Sequence, residues 1–345
     1  MNQFFLAREF CPACKSANRT ELLRLSYTGS PVREYLNTWY SYKKIDEEYL
    51  EGCDYVLYEC GDCGLIYQGE ILNDATLRKL YEEWIDYEKV ADRARTMITK
   101  NYYIGHAKDF VNILSYLDTP PCETHVLDFG MGFGTWCYLT KGFGCHAHGT
   151  ELSQTRIDYA KGIDVIAWKD IPGYRFDFIN TEQVFEHLSE PLEVLGYLRQ
   201  FLKPNGLIKI SVPDGWDLKK RLEAWDWETL QDYTRAENPE EELQRIKTIW
   251  DWESPDGSGT ENSINVAAPL QHINCFNHEA LVRMAERVKL VPVAIPVVLA
   301  NSAPPMPMSQ RVTSRIRSAV RRYYRAVTRE TEARRKTTKV FFKNA

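Results

Sequence analysis

The sequence lacks a long apolar run, which excludes the simplest membrane-spanning architectures. Its longest apolar stretch, Leu290–Ala300, is interrupted by Pro292 and Pro296, whereas a membrane helix needs roughly 20 apolar residues. The apolar segment Phe4–Ala7 is too short for the core of a secretory signal. A P-loop of the form G-x-x-x-x-G-K-S/T is also missing. We therefore expect a cytoplasmic protein without a P-loop nucleotide site.

Basic charge is scarce except at the end of the chain. The 345 residues carry a formal net charge of −5, yet residues 311–345 contain twelve Lys or Arg and two acids. The remainder is therefore acidic, which argues against a nucleic-acid partner. Apolar residues in the basic segment recur at steps of three and four: Val312, Ile316, Val320, Tyr323 and Val327. This pattern predicts a basic amphipathic helix, which favours either peripheral contact with an anionic inner membrane surface or docking on the acidic body of the protein.

The nine cysteines include two pairs with the spacing of metal ligands. Cys11 and Cys14 form one C-x-x-C pair, and Cys60 and Cys63 form the other. Such pairs aim four thiolates at one ion, and a closed set of four leaves no open position for chemistry. We therefore predict a structural zinc ion; the alternative is two unrelated reduced pairs. An odd number of cysteines in a cytoplasmic chain disfavours a disulfide framework.

Strand and helix patterns alternate from His125 onward. This order predicts an α/β fold with a doubly wound, Rossmann-like, mostly parallel sheet. We divide the chain into a zinc-ribbon-like module at 1–70, a helical connector or lid at 71–118, an α/β domain at 119–300 with a helical insertion at 214–268, and a basic amphipathic tail at 301–345. Within the α/β domain we expect strands near Val126–Phe129, Cys145–Thr150, Phe176–Ile179, Leu207–Val212 and Leu290–Leu299.

A glycine-rich loop follows the first of these strands. It reads Asp128-Phe129-Gly130-Met131-Gly132-Phe133-Gly134, and such glycines let the backbone approach a ligand closely. Thr135 breaks the G-x-G-x-x-G pattern of dinucleotide sites. Glu151 ends the second strand, where an acid can bind both hydroxyls of a ribose. The loop alone is a weak signal, but the acid and three later segments, at 170–172, 176–179 and 186–188, support a ligand site.

Taken together, these segments resemble the class I S-adenosylmethionine-dependent methyltransferases. The resemblance implies that the glycine loop underlies the methionine part and ribose of the cofactor, that Glu151 binds the ribose, and that the segment at 170–171 holds the adenine. The fourth strand end, at 180–183, would face the sulfonium. The residues it assigns to the cofactor are Asp128, Gly130, Met131, Gly132, Gly134, Glu151, Leu152, Asp170, Ile171, Asn180 and Gln183.

The cysteine module ahead of this domain is similar to that of sugar C-methyltransferases and related glycan-associated methyltransferases. In the sugar enzymes a segment like H-E-H-L-x-Y-F supplies a catalytic Glu-His pair. The matching segment here is Leu270–Phe276, in which His272 keeps the histidine and Gln271 replaces the glutamate. The resemblance therefore implies methyl transfer to a sugar, a nucleotide sugar or a surface-glycan precursor.

Three residues are candidates for the catalytic base. His272 comes first, because histidine titrates near neutral pH and this one lies in the matching segment. His187 and Tyr87 follow, each with a structural role as the alternative. The segment around Glu186 also resembles a metal-binding segment of some quinone O-methyltransferases, but Gln183 stands where those place another acid, so we expect no catalytic metal.

Two other functions remain open. An RNA or protein methyltransferase would grip a polymer with the zinc module and the basic tail. A non-enzymatic scaffold would keep the cofactor site and lack turnover.

Overall fold

Three sheets organise the computed structural model, which describes residues 2–38, 43, 45–97, 100–227, 239–250, 263–296 and 337–345. The strands are β1 (Phe5–Ala7), β2 (Arg19–Ser26), β3 (Asp54–Cys60), β4 (Ile66–Gln68), β5 (Glu70–Leu72), β6 (His125–Phe129), β7 (His146–Thr150), β8 (Asp164–Val165), β9 (Phe176–Glu182), β10 (Leu202–Pro213), β11 (Asn274–Cys275), β12 (Leu290–Val293) and β13 (Thr337–Asn344). The α-helices are α1 (Val32–Thr38), α2 (Asp74–Lys79), α3 (Tyr87–Met97), α4 (Lys100–Leu117), α5 (Thr135–Gly142), α6 (Gln154–Tyr159), α7 (Pro191–Arg199), α8 (Leu218–Glu223), α9 (Pro239–Ile249) and α10 (His278–Arg287).

The largest sheet has seven strands in the order β12-β13-β10-β9-β6-β7-β8. From β10 to β8 all neighbours pair in parallel, and β13 is antiparallel to both strands beside it. This parallel-rich sheet confirms the predicted α/β fold. The order reverses on either side of β6, so the carboxyl ends of β6 and β9 face the crevice in which such sheets bind ligands.

Alternating side chains of the parallel strands bury both faces of the sheet. Val126 and Phe178 pack on one face with Phe110 of α4 and Trp136 of α5. The neighbouring residues along the same strands, such as Leu127, point to the opposite face of the sheet. Helices α7 and α10 pack on that face. Helix α4, which we expected within a connector, therefore packs directly on this sheet.

The end of the chain differs from the expected tail. Residues 337–344 form β13, in which Thr338, Val340 and Phe342 are buried while Lys339 is exposed. This alternation has the period of a strand, and burial between β10 and β12 outweighs the neighbouring basic charge. The predicted amphipathic stripe at 312–327 lies outside the described residues. In the described part, no helix combines the length and apolarity that crossing a bilayer needs.

The N-terminal module shares its core with the insertion. Strands β2, β3, β4 and β11 form an antiparallel sheet in the order β11-β4-β3-β2. Aromatic residues of this sheet and of α1 share a core with the insertion, and Trp250 lies 5.0 Å from Tyr35 of α1 between ring centroids. The insertion, whose described part includes α8 and α9, therefore completes the N-terminal core.

Candidate active site and metal centre

The glycine loop lies at the carboxyl end of β6 and leads into α5. Gly130, Gly132 and Gly134 all have positive φ angles, of 72°, 55° and 77°. A side chain at Gly130 would also place its Cβ 2.6 Å from Val184, whereas a Cβ at Gly132 would meet nothing within 4 Å. The loop is therefore packed tightly against the segment after β9 and open above Gly132, as a cofactor cradle requires.

Glu151 fixes the shape of this loop. Its carboxylate accepts N–H bonds from Gly132 at 3.0 Å, from Leu152 at 2.8 Å and from Ser153 at 3.0 Å. Arg156 lies 3.5 Å from the same carboxylate. A carboxylate offers about four acceptor positions. The three N–H bonds fill about three of them, and a ribose hydroxyl would take the fourth in place of the 3.5 Å contact with Arg156, so Glu151 would both shape the loop and bind the ribose.

Two neighbouring segments would enclose the adenine. Leu152 is 91% exposed, which leaves an apolar side chain without a protein partner beside Glu151. Asp170 is exposed, whereas Ile171 next to it is buried in the sheet core and supports the turn. The exposed Leu152, the open loop and the carboxylate fit the apolar and ribose parts of S-adenosylmethionine. The assignment of Asp170 and Ile171 to the cofactor stays a prediction.

A buried polar network lies beneath the loop. Asn180 donates to Asp128 at 2.7 Å and accepts from Lys209 at 3.1 Å. Lys209 also pairs with Glu182, which accepts a bond from the Trp136 indole N–H. Burial raises the pKa of Asp128 to about 7 and lowers the pKa of Lys209. The sequence analysis identified Asp128 and Asn180 but missed Lys209 and Glu182; a lysine within the apolar run of β10 was the available signal.

Two further predicted cofactor residues have different surroundings. Gln183, directly after β9, has a φ of 55°, and its N–H donates to Ser211 at 2.8 Å. Such a conformation is costly for a non-glycine residue and is concentrated at functional sites. Met131 is buried, and its sulfur lies 2.1 Å from where a Cβ on Gly149 would stand. The Met131 side chain therefore supports the loop from below.

The structure brings the two predicted histidines together and adds a glutamate. The rings of His187 and His272 are 5.0 Å apart between centroids. Glu186 lies 3.8 Å from Nε2 of His187, is 1% exposed, and neither carboxylate oxygen has a hydrogen-bond partner among the described residues. Burial raises the pKa of Glu186 to about 8 and lowers the pKa of His187 to about 3 and of His272 to about 4.

Tyr87 lies on the cofactor side of this cluster. Its ring is 5.4 Å from the guanidinium of Arg156, which also pairs with Glu151. The hydroxyl is buried without a hydrogen-bond partner in the described structure, and burial raises the pKa of Tyr87. Tyr87 therefore lies near Arg156 and the glycine loop, and its part in catalysis stays a prediction.

The four paired cysteines form a second centre. The sulfur of Cys11 lies 3.6 Å from that of Cys63, and the sulfur of Cys14 lies 3.5 Å from that of Cys60. A tetrahedral zinc ion with Zn–S bonds of about 2.3 Å would separate its sulfurs by roughly 3.8 Å. All four cysteines are buried. The arrangement is compatible with a tetrahedral zinc ion.

A family model described as a methyltransferase domain matches residues 102–294. Together with the sheet order and the glycine loop, this match defines an S-adenosylmethionine-dependent methyltransferase. The chain belongs to the methyltransferase-domain family, and the match begins inside α4, ahead of the boundary expected at 119.

Solved structures of methyltransferases are similar to this chain at low identity. PKMT2 from Rickettsia typhi in complex with AdoHcy has a TM-score of 0.43 and 16% identity over 68% of this chain, which spans 52% of that protein. The plantazolicin methyltransferase BpumL in complex with SAH has a TM-score of 0.42 and 15% identity, covering 78% of this chain and 94% of that one. CalS10, an amino pentose methyltransferase from Micromonospora echinaspora, has a TM-score of 0.31 and 20% identity over 35% of this chain and 54% of its own. No curated protein matches the sequence significantly.

Proposed function

We propose that this enzyme methylates a small-molecule acceptor of the sugar class: a sugar, a nucleotide sugar or a surface-glycan precursor. The observation that carries the proposal is the pairing of His187 and His272 beside the segment that packs on the glycine loop. A hydroxyl or carbon acid must lose a proton before it attacks a methyl group, whereas a neutral amine already offers a lone pair. A histidine pair beside the glycine loop therefore favours an acceptor that is methylated on a hydroxyl oxygen or on an acidic carbon.

The chain would hold the cofactor across the glycine loop. Gly130–Gly134 would lie against its methionine part, Glu151 would accept a ribose hydroxyl, Leu152 and Asp170 would flank the adenine, and Gln183 would face the reacting centre. S-Adenosylmethionine, when bound, supplies a methyl group that is already activated on a sulfonium.

His272 is the first candidate for the base. Its Nδ1 lies 3.0 Å from the carbonyl oxygen of Asn265, which can only accept, so Nδ1 carries the proton and Nε2 offers a lone pair. His187 is held in the same way by the carbonyl of Gln271, at 2.8 Å. His187 and Tyr87 follow as candidates. The remaining task of the site is to orient the acceptor and to exclude water.

We also infer that the four cysteines hold a structural zinc ion. Their closed set of thiolates would tie together the two turns that carry the cysteine pairs. Each turn is followed by a residue in the left-handed region, Lys15 or Gly64, which aims both sulfurs of a pair inward.

For the basic segment at 311–336 we keep the proposal of peripheral membrane contact. Truncation would remove β13, so the test replaces Arg311, Arg315 and Arg317 with Glu in the full chain. Wild type should sediment with anionic vesicles and not with neutral ones, and the variant should lose binding. Equal sedimentation of both proteins, or of neither, would instead favour docking on the acidic body.

The acceptor proposal is tested with methyl-labelled cofactor. Label should pass to members of a panel of sugars, nucleotide sugars and glycan precursors. Gly130→Val is the matched control, because its Cβ would clash with Val184 and close the cradle. Label found in protein or RNA fractions and in no sugar-class acceptor would contradict the proposal.

A further inference from the structure

Three potential metal-ligand atoms converge at the histidine cluster. Nδ1 of His187 faces the Gln271 carbonyl and Nδ1 of His272 faces the Asn265 carbonyl, so both Nε2 atoms carry lone pairs. The Glu186 carboxylate is buried with both oxygens unpartnered in the part of the chain that the structure describes. One ligand atom from each of these residues lies within 4.8 Å of the other two.

Such a convergence is stabilised by a positive charge, either a metal ion or, without an ion, the proton that burial allows Glu186 to hold. A buried acceptor without a donor costs about 1–3 kcal/mol, and more when it is charged. Two imidazoles and one carboxylate are a ligand set of first-row transition metals, Zn²⁺ and Fe²⁺ among them. Metal-binding histidines also donate their other ring N–H to a carbonyl or carboxylate, which both histidines do here.

We propose that Glu186, His187 and His272 form a second metal site, which binds a divalent transition-metal ion such as Zn²⁺. The sequence analysis expected no metal here because Gln183 offers no second acid. The structure supplies the missing ligand from elsewhere, since His272 arrives from the loop before β11.

The surrounding contacts hold the ligands in place without the ion. Asn274 donates to the carbonyls of Phe185 at 2.9 Å and Leu188 at 2.7 Å, which fixes the segment that carries two of the ligands. Gln68 donates to the His272 carbonyl at 3.1 Å. The backbone segments that carry the ligands are thus held in place without the ion, so ion binding would need side-chain adjustment and need not order a loop.

The site itself stands on these contacts; its use in catalysis rests on the proposed function. With an ion bound, His187 and His272 are ligands, and the ion lowers the pKa of a coordinated acceptor hydroxyl. The acceptor hydroxyl would lose its proton to solvent as it coordinates, before the filled site excludes water, and the oxygen lone pair would then form the bond to the methyl carbon as the sulfur–carbon bond breaks. In this state His272 does not take the proton itself.

Metal titration of the full chain tests the site without an acceptor. The protein is first washed with a mild chelator that leaves the four-thiolate site loaded, and is then titrated with Zn²⁺ in a calorimeter. We expect about one further equivalent to bind. Glu186→Gln and His272→Gln should each weaken this binding at least about 100-fold, whereas His278→Gln, an exposed histidine control, should leave it unchanged. Circular dichroism and S-adenosylhomocysteine affinity verify that each variant is folded.

Cobalt separates the two sites. Co²⁺ bound by thiolates gives an intense near-ultraviolet charge-transfer band, and Co²⁺ at the new site should lack it. Binding of no further equivalent, or a further equivalent that Glu186→Gln and His272→Gln retain, would overturn the second site. If the protein transfers methyl groups with an ion only in the four-thiolate site, the proposed function still stands, and His272 acts as the base without a metal ion.

Discussion

Replacing Glu151 with Ala should weaken cofactor binding by more than the loss of one ribose contact. The carboxylate is 8% exposed and accepts three backbone N–H bonds, including that of Gly132 in the centre of the loop. In Glu151→Ala these donors lose their acceptor and Arg156 loses its ion-pair partner. The loop then has to be ordered at the moment of binding, so the variant loses preorganisation as well as a contact.

The magnitude follows from the kind of bond that is lost. A hydrogen bond to a charged group contributes about 1.5–3 kcal/mol, and water replaces part of it where the donor is exposed, as at Leu152. Counting one ribose bond and the bond to Gly132, we expect about 2–4 kcal/mol, or roughly 30- to 800-fold in Kd. Glu151→Gln keeps one acceptor oxygen and should lose about 1–2 kcal/mol.

Calorimetric titration with S-adenosylhomocysteine measures this effect without an acceptor. Glu279→Gln is the matched control, because this glutamate is 71% exposed on α10, away from the loop. Its affinity should equal that of wild type. An affinity of Glu151→Ala within about threefold of wild type would refute the assigned role, provided that circular dichroism shows the variant to be folded.

Three further predictions concern the metal, the base and the buried network. Chelator-washed wild type should hold about one zinc ion, which Cys60→Ser loses and the exposed control Cys122→Ser keeps; a folded module free of metal would contradict this. His272→Ala should lower turnover on an identified methyl acceptor at least about 100-fold, with cofactor affinity retained. Turnover within a few-fold of wild type would show that another residue is the base. Lys209→Met should lower the free energy of unfolding, measured by urea denaturation, by about 3 kcal/mol, because Glu182 loses its partner. The double variant Lys209→Met/Glu182→Gln should recover part of this loss, and a second, purely additive loss would argue against the pair.

Local patterns in the sequence were sufficient to predict the sheet and the place of the glycine loop in it. One strand-helix-strand unit contains the strand at Val126–Phe129, the glycines after it and Glu151 at its end. Their separation in the sequence therefore determines how they lie relative to one another in the fold. The left-handed φ angles at Gly130, Gly132 and Gly134 explain why glycine occupies all three positions.

Long-range contacts were beyond such patterns. Glu186 and His272 are far apart in the sequence and are brought together by contacts such as those of Asn274 with the Phe185 and Leu188 carbonyls, which nothing in either segment indicates. Strand β13 was misread because its short alternation of buried residues follows an arginine-rich segment with a helical period. A strand of this kind is specified by the two strands between which it inserts, here β10 and β12, and less by its own composition.

Hydrogen bonds from the cysteine module hold together the two segments that carry the histidine cluster. Arg8, which precedes Cys11 by three positions, is buried and donates to the carbonyls of Leu188 and Ser189 on one side and of Ile273 on the other. It therefore ties the segment of His187 to the segment of His272, and β4 pairs with β11 alongside them. The glycine loop makes its bonds within 130–151 and does not depend on these contacts. In the proposed function the module would thus build the acceptor side of the site while the sheet would build the cofactor side, which would give a structural metal centre a reason to accompany this methyltransferase domain.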